Sequence, residues 1–268
     1  QLARMGTWFP NAYSPAPSCI PARRSLMTGL SVRSHGDRVF KEWEPMPDVP
    51  TLAQTFRDAG YRSHAVGKLH VYPQRDRIGF DEAVINEEGR HHLDGGSDDW
   101  EMYLAEQGYA GQEYAAGHSN NDYNVKTWHL PEETHPTNWA TREMCKAIKR
   151  RDPLKPSFWY LSYVDPHPPM WPLQLYLDLY RDVDIDPPVM GEWTKDPQTM
   201  PWMIRASTDA GQGIVGGSAH EIEIARKAFY ALITHIDHQI RVVLGTLREE
   251  GLLDNTIIAL TSDHGDML

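Results

Sequence analysis

The sequence has little cysteine, fewer cations than anions and no long apolar run. Its two cysteines, Cys19 and Cys145, are too few for a disulfide framework, and a single bridge would not define a compartment. The longest apolar run, residues 158–164, is the length of a strand, too short to span a membrane as a helix. The first residue is Gln1, with no charged-then-apolar leader after it, so either a leader was removed or the chain was cut.

The charge balance restricts the ligands that the protein would bind. Lys and Arg total 26 against 37 Asp and Glu, which gives a net charge of −11 and argues against a general nucleic-acid binder. An anionic substrate would therefore need a local cluster of positive charge. The 40% hydrophobic content is typical of a folded protein, and 268 residues suit one large domain or two ordinary ones.

Three apolar runs predict buried strands, each followed at once by polar residues. They cover residues 63–67, 157–164 and 256–261. A helix is predicted at 51–59, before the first strand, and a long amphipathic helix with apolar positions from Ile222 to Leu247 precedes the third, with Gly251 as its C-terminal cap. This alternation predicts an α/β fold with a largely parallel sheet, in which ligands bind at the carboxyl ends of the strands.

Two stretches have little periodicity. Residues 86–136 are predicted to form long loops over the ligand crevice, and residues 165–201 contain eight of the 20 prolines, which disfavour regular structure. Seven of the nine tryptophans lie between Trp100 and Trp202. They are interpreted either as packing that holds the loops to the body or, for one or two of them, as stacking platforms for a sugar or aryl group.

The segment 19–29 reads Cys-Ile-Pro-Ala-Arg-Arg-Ser-Leu-Met-Thr-Gly. A cysteine with Pro at +2, Arg at +4 and a following Leu-Met-Thr-Gly resembles the signature of the type I sulfatases of the alkaline phosphatase superfamily. Ala22 stands where that family usually has Ser. The alternative for Cys19 is an inert buried thiol, which is common for this residue type.

The resemblance implies that Cys19 is oxidised to formylglycine, whose hydrated aldehyde is the nucleophile. One hydroxyl of the geminal diol attacks sulfur, and deprotonation of the second expels sulfate, so that one difficult hydrolysis becomes two easier steps. A free thiol would lack that second step.

Further positions match the family one by one. Gly67-Lys68-Leu69-His70 resembles the Gly-Lys-x-His element, in which Lys68 contacts the sulfate and His70 supports the nucleophile. His167, in a Pro-His-x-Pro element after the second predicted strand, is implied to donate to the leaving oxygen or to bind sulfate. Taken alone, Lys68 would be an ordinary surface residue and His167 part of a structural proline-rich turn.

A metal site is implied near the end of the sequence. In Ser262-Asp263-His264-Gly265, Asp263 and His264 are the implied ligands of a divalent cation, and Arg23 is implied to hold the nucleophile and nearby carboxylates in place. Calcium is expected by resemblance, although an imidazole ligand also suits manganese or zinc.

Other titratable groups are predicted to be structural or remain open. His235, Asp237 and His238 do not all share one helix face, so a structural role is expected for them. His91 and His92 are predicted either to contact substrate over the crevice or to lie on a loop surface. Cys145 lies in a helix predicted at 141–150 and is expected to have no chemical role. The basic run at 146–151 is expected to be a solvated helix face.

The resemblance covers nearly all of residues 1–268 and implies an alkaline-phosphatase-like domain that is incomplete at both ends. The opening residues resemble the segment that follows the family's first strand, which carries two acidic metal ligands, and the family usually continues beyond Leu268 to a smaller subdomain. We therefore expect residues 1–268 to be an internal part of the catalytic domain, with a damaged metal site and weak turnover on their own.

The resemblance thus implies a sulfuric ester hydrolase that requires a formylglycine-generating or anaerobic sulfatase-maturating enzyme as partner. A small anionic sulfate ester, either a sulfated carbohydrate or an aryl sulfate, is the expected substrate, and no nucleic acid or membrane partner is expected. Two alternatives remain: a phosphonate or phosphate ester hydrolase of the same superfamily, and a sulfatase-like glycan-binding protein without turnover, for which Ala22 is the only support. The compartment stays open between periplasm, cytoplasm and secretion.

Overall fold

A computed structural model describes residues 2–92, 94, 96–209, 214 and 217–266. Its helices and strands follow one another in the order α1 (Leu2–Met5), α2 (Cys19–Thr28), α3 (Val32–His35), α4 (Leu52–Asp58), β1 (Arg62–Gly67), β2 (Glu82–Ile85), α5 (Asp99–Glu106), α6 (Pro136–Lys149), β3 (Ser157–Ser162), α7 (Gln174–Asp178), α8 (Trp202–Asp209) and α9 (Ala219–Glu249). Short 3-10 turns occur at Glu132–Thr134, Glu192–Lys195, Pro197–Thr199 and Leu253–Asn255.

The three strands form one parallel sheet in the order β2-β1-β3. In the central strand, Ala65 pairs with Ala83 of β2 and Tyr160 of β3, and both Ala65 and Val66 are buried. Parallel strands need helices over their faces because neither face is left to solvent. The α/β class and the strands predicted at 63–67 and 157–164 are confirmed, while β2 was not predicted.

The strand predicted at 256–261 is wrong. These residues form no strand, and Ile257 is 99% and Leu260 67% exposed. Their β-branched, apolar composition favours a strand, but a strand also needs a neighbouring backbone that accepts and donates its hydrogen bonds. No strand within the described ranges lies beside this segment.

The long amphipathic helix predicted before that segment is confirmed as α9. Ser218 and Glu221 form a capping box at its start, and its buried face, which includes Ala228 and Leu232, packs against α6. Gly251 follows with φ 69°, and its N–H donates to the carbonyl of Arg248. No helix in the described part of the chain is both long and apolar enough to cross a bilayer.

The region predicted as long loops contains a helix that was missed. Asp98 and Glu101 form a capping box at the start of α5, and Trp100 in its first turn is buried. Trp100 packs with Trp128 and Trp171, at ring-centroid distances between 5.1 and 6.4 Å. For these three tryptophans the packing interpretation holds, because their rings are covered by protein.

Candidate active site

Cys19 is the first residue of α2. Ser18 adopts an extended conformation before it, and Gly29 ends the helix in the left-handed region at φ 69°. The thiol is half-buried and not in a disulfide. It lies at the helix N-terminus, where unpaired backbone N–H groups and the helix dipole favour negative charge. Cys19 therefore lies at an electropositive end of a helix that the sequence analysis did not predict.

Arg23, one helical turn after Cys19, forms hydrogen bonds with three other segments that line the crevice. Its Nε donates to Oδ2 of Asp263 at 2.9 Å, and its Nη1 donates to the Lys68 carbonyl at 2.8 Å and to Oγ of Ser162 at 3.0 Å. The guanidinium thus links α2 to the carboxyl ends of β1 and β3 and to the 263 segment. Its planar array of donors suits such a bridging role.

Gly67 permits the close approach of β1 and β3 at the crevice. It has φ 98°, and a Cβ at this position would lie 1.9 Å from the carbonyl oxygen of Ser162. The same carbonyl accepts a hydrogen bond from the Lys68 N–H at 2.9 Å. Only glycine fits here, which gives a physical reason for the first residue of the Gly-Lys-x-His element.

Lys68 is buried in an ion-pair network that the sequence analysis missed. Its Nζ lies 2.6 Å from Oε1 of Glu88, and both side chains are only 2% exposed. The other oxygen of Glu88 pairs with Arg90 at 3.0 Å, and Nδ1 of His167 lies 3.3 Å from Oε1. Burial alone would raise the pKa of Glu88. The positive charges of Lys68 and Arg90, with the rings of His167 and His70, instead hold this pKa well below its usual value.

His70 is buried with an unusual backbone conformation and an unpartnered ring. Its φ is 58°, and its N–H donates to the buried carboxylate of Glu87, which also accepts from the Leu69 N–H. Both ring nitrogens are buried and have no hydrogen-bond partner among the described residues. Burial, reinforced by Lys68, lowers the pKa of His70 to about 3, so the ring is neutral at physiological pH.

His167 lies in the loop that follows β3. Its Nδ1 lies 2.6 Å from the carbonyl oxygen of Pro168 and so carries the proton of that hydrogen bond. Nε2 is then the atom that can face a substrate. The half-buried ring lies between Glu88 and the Cys19 thiol.

Asp263 and His264 lie close to Cys19, although the segment that contains them forms no strand. Nε2 of His264 lies 3.2 Å from Sγ of Cys19, and the ring Nδ1 lies 2.7 Å from the Gly265 carbonyl. One donor atom from each of Cys19, Asp263 and His264 lies within 4.8 Å of the others. An imidazole, a carboxylate and the atom at position 19 fit a single divalent cation.

The charges around Cys19 strongly alter its titration. Burial alone would raise the pKa of the thiol, but the nearby imidazoles of His167, His264 and His70, together with the charge of Lys68, lower it to about 2. The thiolate in turn raises the pKa of His264 to about 9. The pocket therefore stabilises negative charge at position 19, despite the overall charge of −11.

The structure brings all seven predicted site residues into one crevice, at the carboxyl ends of β1 and β3. They are Cys19, Arg23, Lys68, His70, His167, Asp263 and His264. The sequence analysis missed Ser162, Glu87, Glu88 and Arg90. The signal for the last three was present: an Asn-Glu-Glu-Gly-Arg run directly follows the short apolar segment that forms β2.

The other histidines considered from sequence lie elsewhere. Nε2 of His235 lies 2.6 Å from Oδ1 of Asn138, its ring stacks on Tyr176, and no potential metal-binding group in the described ranges includes it. Asp237 instead pairs with Arg241. Cys145 accepts a hydrogen bond from Thr246 at the interface of α6 and α9.

His92 pairs with Glu42 at 2.9 Å and packs near Trp43. His91 points to a different group of carboxylates, Glu101 and Glu113.

The parallel sheet with a charged crevice at its carboxyl end is that of the alkaline-phosphatase-like α/β class. The phosphonate monoester hydrolase of Agrobacterium radiobacter has this fold, with a TM-score of 0.74 at 20% identity over 95% of this chain and 55% of that chain. The Sulfatase family model matches residues 1–268, and the chain belongs to the sulfatase family.

Two curated relatives align over the whole chain. The arylsulfatase of Clostridium perfringens is 36% identical over 280 residues, which cover 100% of this chain and 57% of that protein. The choline-sulfatase of Rhizobium meliloti is 27% identical over 283 residues, which cover 100% of this chain and 52% of that protein. The chain thus spans about half the length of the curated relatives it matches.

Proposed function

We propose that this protein hydrolyses a sulfate ester and releases inorganic sulfate, with position 19 as the nucleophile after conversion of Cys19 to formylglycine. The observation that carries the proposal is the convergence of Lys68, His70 and His167 on Cys19 in a chain that belongs to the sulfatase family. Conversion supplies a geminal diol in place of the thiol, and it makes a sulfatase-maturating enzyme a required partner.

Three residues around position 19 stabilise charge and transfer protons in the proposed reaction. Lys68 directs its ammonium group into the pocket and stabilises negative charge on the sulfuryl oxygens. The neutral ring of His70, with no hydrogen-bond partner among the described residues, accepts a proton from the nucleophile. His167 presents Nε2 to protonate the leaving oxygen, while its Nδ1 stays bonded to the Pro168 carbonyl.

Asp263 and His264 would hold the divalent cation, for which calcium is our first choice and manganese or zinc the alternatives. The cation would supply fixed positive charge beside the reacting oxygens. Arg23 positions this site, because it binds the Asp263 carboxylate and the backbone of Lys68 at the same time.

A sulfated carbohydrate or an aryl sulfate is the proposed substrate class. The arylsulfatase name of the 36% identical relative supports an aryl leaving group, while the long polar loops beside the crevice suit a sugar. The crevice itself recognises the sulfate rather than the leaving group.

The proposal is tested on the full-length protein co-expressed with a formylglycine-generating enzyme. Peptide mass spectrometry is expected to find an aldehyde at position 19, and aryl sulfate turnover is expected to vanish in Cys19→Ala but to persist in Cys145→Ala. An unmodified thiol under these conditions would refute the mechanism. Turnover that survives Cys19→Ala would refute the role of position 19, and absence of turnover in a correctly converted protein would favour a glycan-binding role.

A phosphonate or phosphate ester is the second candidate substrate. The observation that favours it is the fold shared with the phosphonate monoester hydrolase, and the mixed Asp263–His264 donor pair is compatible with hydrolysis of either ester. Parallel measurement of kcat/KM for an aryl sulfate and an aryl phosphonate separates the two. A higher value for the phosphonate would replace the sulfatase proposal.

A further inference from the structure

A second group of potential metal ligands lies outside the candidate active site. His91 lies in the loop after β2, Glu101 in the first turn of α5, and Glu113 in the turn beyond that helix. One ligand atom from each residue lies within 4.8 Å of the other two. No residue is shared with the group formed by Cys19, Asp263 and His264.

Glu101 contributes a buried oxygen with no hydrogen bond. Its side chain is only 6% exposed, and its Oε2 accepts the Asp98 N–H at 2.8 Å as part of the capping box. Its Oε1 is buried and has no hydrogen-bond donor in the described part of the chain. A buried carboxylate oxygen without a partner is costly, so its environment calls for a positive group.

His91 is close to that oxygen but is not placed to donate to it. Its Nε2 lies 2.9 Å from Oε1 of Glu101, yet the pair lacks hydrogen-bond geometry. Two ligands about 2.0–2.1 Å from a tetrahedral ion lie about 3.4 Å from each other, so a small outward shift would let both atoms share a cation. The exposed His91 ring has room for that shift.

The charges at this position also favour a cation. The negative charges of Glu101 and Glu113 act against each other, and His91 and Arg75 are the positive groups that act on Glu101. Two carboxylates thus lie beside one exposed imidazole, which is a weak source of positive charge, and the guanidinium of Arg75 is itself paired with Asp99 at 2.8 Å.

We propose that His91, Glu101 and Glu113 bind a divalent transition metal, with zinc as the representative ion. One imidazole and two carboxylates suit zinc or manganese, whereas calcium prefers oxygen ligands alone. The ion would join the loop after β2 to α5. Arg90, next to His91, pairs with the Glu88 that contacts Lys68, so the ion would brace one wall of the crevice. This proposal does not depend on the proposed hydrolysis.

Zinc binding is measured on the full-length protein without reference to activity. Because the crevice would also bind zinc, the parent for the experiment carries Cys19→Ser, Asp263→Asn and His264→Ala. Isothermal titration with zinc, followed by metal analysis after gel filtration, is expected to find one saturable equivalent in this parent. X-ray absorption is expected to show nitrogen and oxygen ligands.

Two variants test the assigned ligands against a matched control. Glu101→Gln keeps an oxygen that can accept the Asp98 N–H, and His91→Ala changes an exposed ring, so neither should unfold the protein. Each is expected to weaken zinc binding at least tenfold. Glu106→Gln, an exposed change on the same helix, is expected to bind like the parent. Absence of saturable zinc in the parent, or unchanged binding in both ligand variants, would overturn the proposal.

Discussion

Two regions of this molecule bury polar groups for different purposes. In the aromatic core, formed by Trp100, Trp128 and Trp171, each indole N–H has an acceptor. Trp100 donates to the Thr134 carbonyl at 2.9 Å, and Trp171 donates to the Asp165 carboxylate at 3.2 Å. Trp128 donates to the carbonyl of Pro131 at 3.2 Å and to the Thr134 hydroxyl at 3.1 Å. Every indole of this core therefore keeps a hydrogen bond when it leaves water.

The crevice buries charge and leaves ring nitrogens open. Lys68 and Glu88 are an ion pair away from solvent, and both nitrogens of His70 lack a partner in the described ranges. Such groups cost free energy in a folded protein unless a ligand satisfies them. The contrast indicates that the aromatic core contributes to stability, whereas the crevice keeps buried polar groups that a ligand could satisfy.

The largest effect is expected in the aromatic core. Trp100→Ala removes a fully buried ring and should lower the free energy of unfolding by about 3–5 kcal/mol. The kcat/KM of the folded full-length protein should change less than about threefold, because the partners of the ring are Trp128, Trp171 and the Thr134 carbonyl, none of which belongs to the candidate site. Urea denaturation and steady-state kinetics measure the two quantities. Trp202→Ala, at a ring that is 73% exposed, is the control and should change stability by less than about 0.5 kcal/mol.

In the crevice, by contrast, a substitution is expected to lower kcat/KM strongly. Lys68→Met should lower kcat/KM for the proposed sulfate ester by about 10²–10³, because it removes a fixed charge from the proposed position of the sulfuryl group. The pair Lys68→Met with Glu88→Gln avoids leaving a buried carboxylate without its ammonium partner and should be equally slow but better folded. Turnover of the double variant near the level of the unaltered enzyme would show that Lys68 is structural.

Acid is expected to weaken the protein through two histidines beside the aromatic core. Burial lowers the pKa of His135 and of His235 to about 3, whereas both would titrate near 6.5 in the unfolded chain. Above pH 6.5 both rings are neutral in the folded and in the unfolded chain, so their contribution to stability is complete. As the pH falls from 6.5 towards 3, only the unfolded chain takes up protons on these rings, and the free energy of unfolding falls by up to about 1.4 kcal/mol per pH unit for each ring.

His235→Gln should reduce that slope, while the exposed His220→Gln should leave it unchanged. Unfolding free energies measured at pH 7, 6 and 5 check this expectation. The same slope in all three proteins would mean that His235 is not responsible.

The smallest effect is expected at the surface. Lys146→Ala breaks an ion pair with Glu143 whose lysine side chain is 46% exposed. Screening by water limits the loss of unfolding free energy to about 0.5 kcal/mol. A loss above about 1.5 kcal/mol in the same denaturation assay would contradict the view that charge matters here only where it is buried.

Local patterns were sufficient for much of the fold. The period of the apolar residues predicted α9, and continuous apolar runs predicted β1 and β3. Local patterns predicted a strand at residues 256–261 that the structure lacks, because a strand depends on a neighbouring backbone that no local pattern reveals. They also missed α5, where the helix is short and its capping box lies in a region dominated by turn residues.

The candidate site was predicted through motif residues, and their partners were not. Lys68, His70 and His167 were found because each stands in a recognisable element after a strand. Glu87 and Glu88 were missed because the role of a carboxylate depends on which hydrogen-bond donors lie opposite. These donors are the Leu69 N–H for Glu87 and the Lys68 ammonium for Glu88, which are 18 and 20 positions away.

By itself, the sequence determined the elements α9, β1 and β3 and the family signature, since these depend on neighbouring residues along the chain. Tertiary structure decided that Asp263 lies against Arg23, that Ser162 leaves room only for glycine at position 67, and that the charge of Lys68 is met by Glu88. The reason is physical: burial and Coulomb interactions act over a few ångströms in space, whatever the separation in sequence.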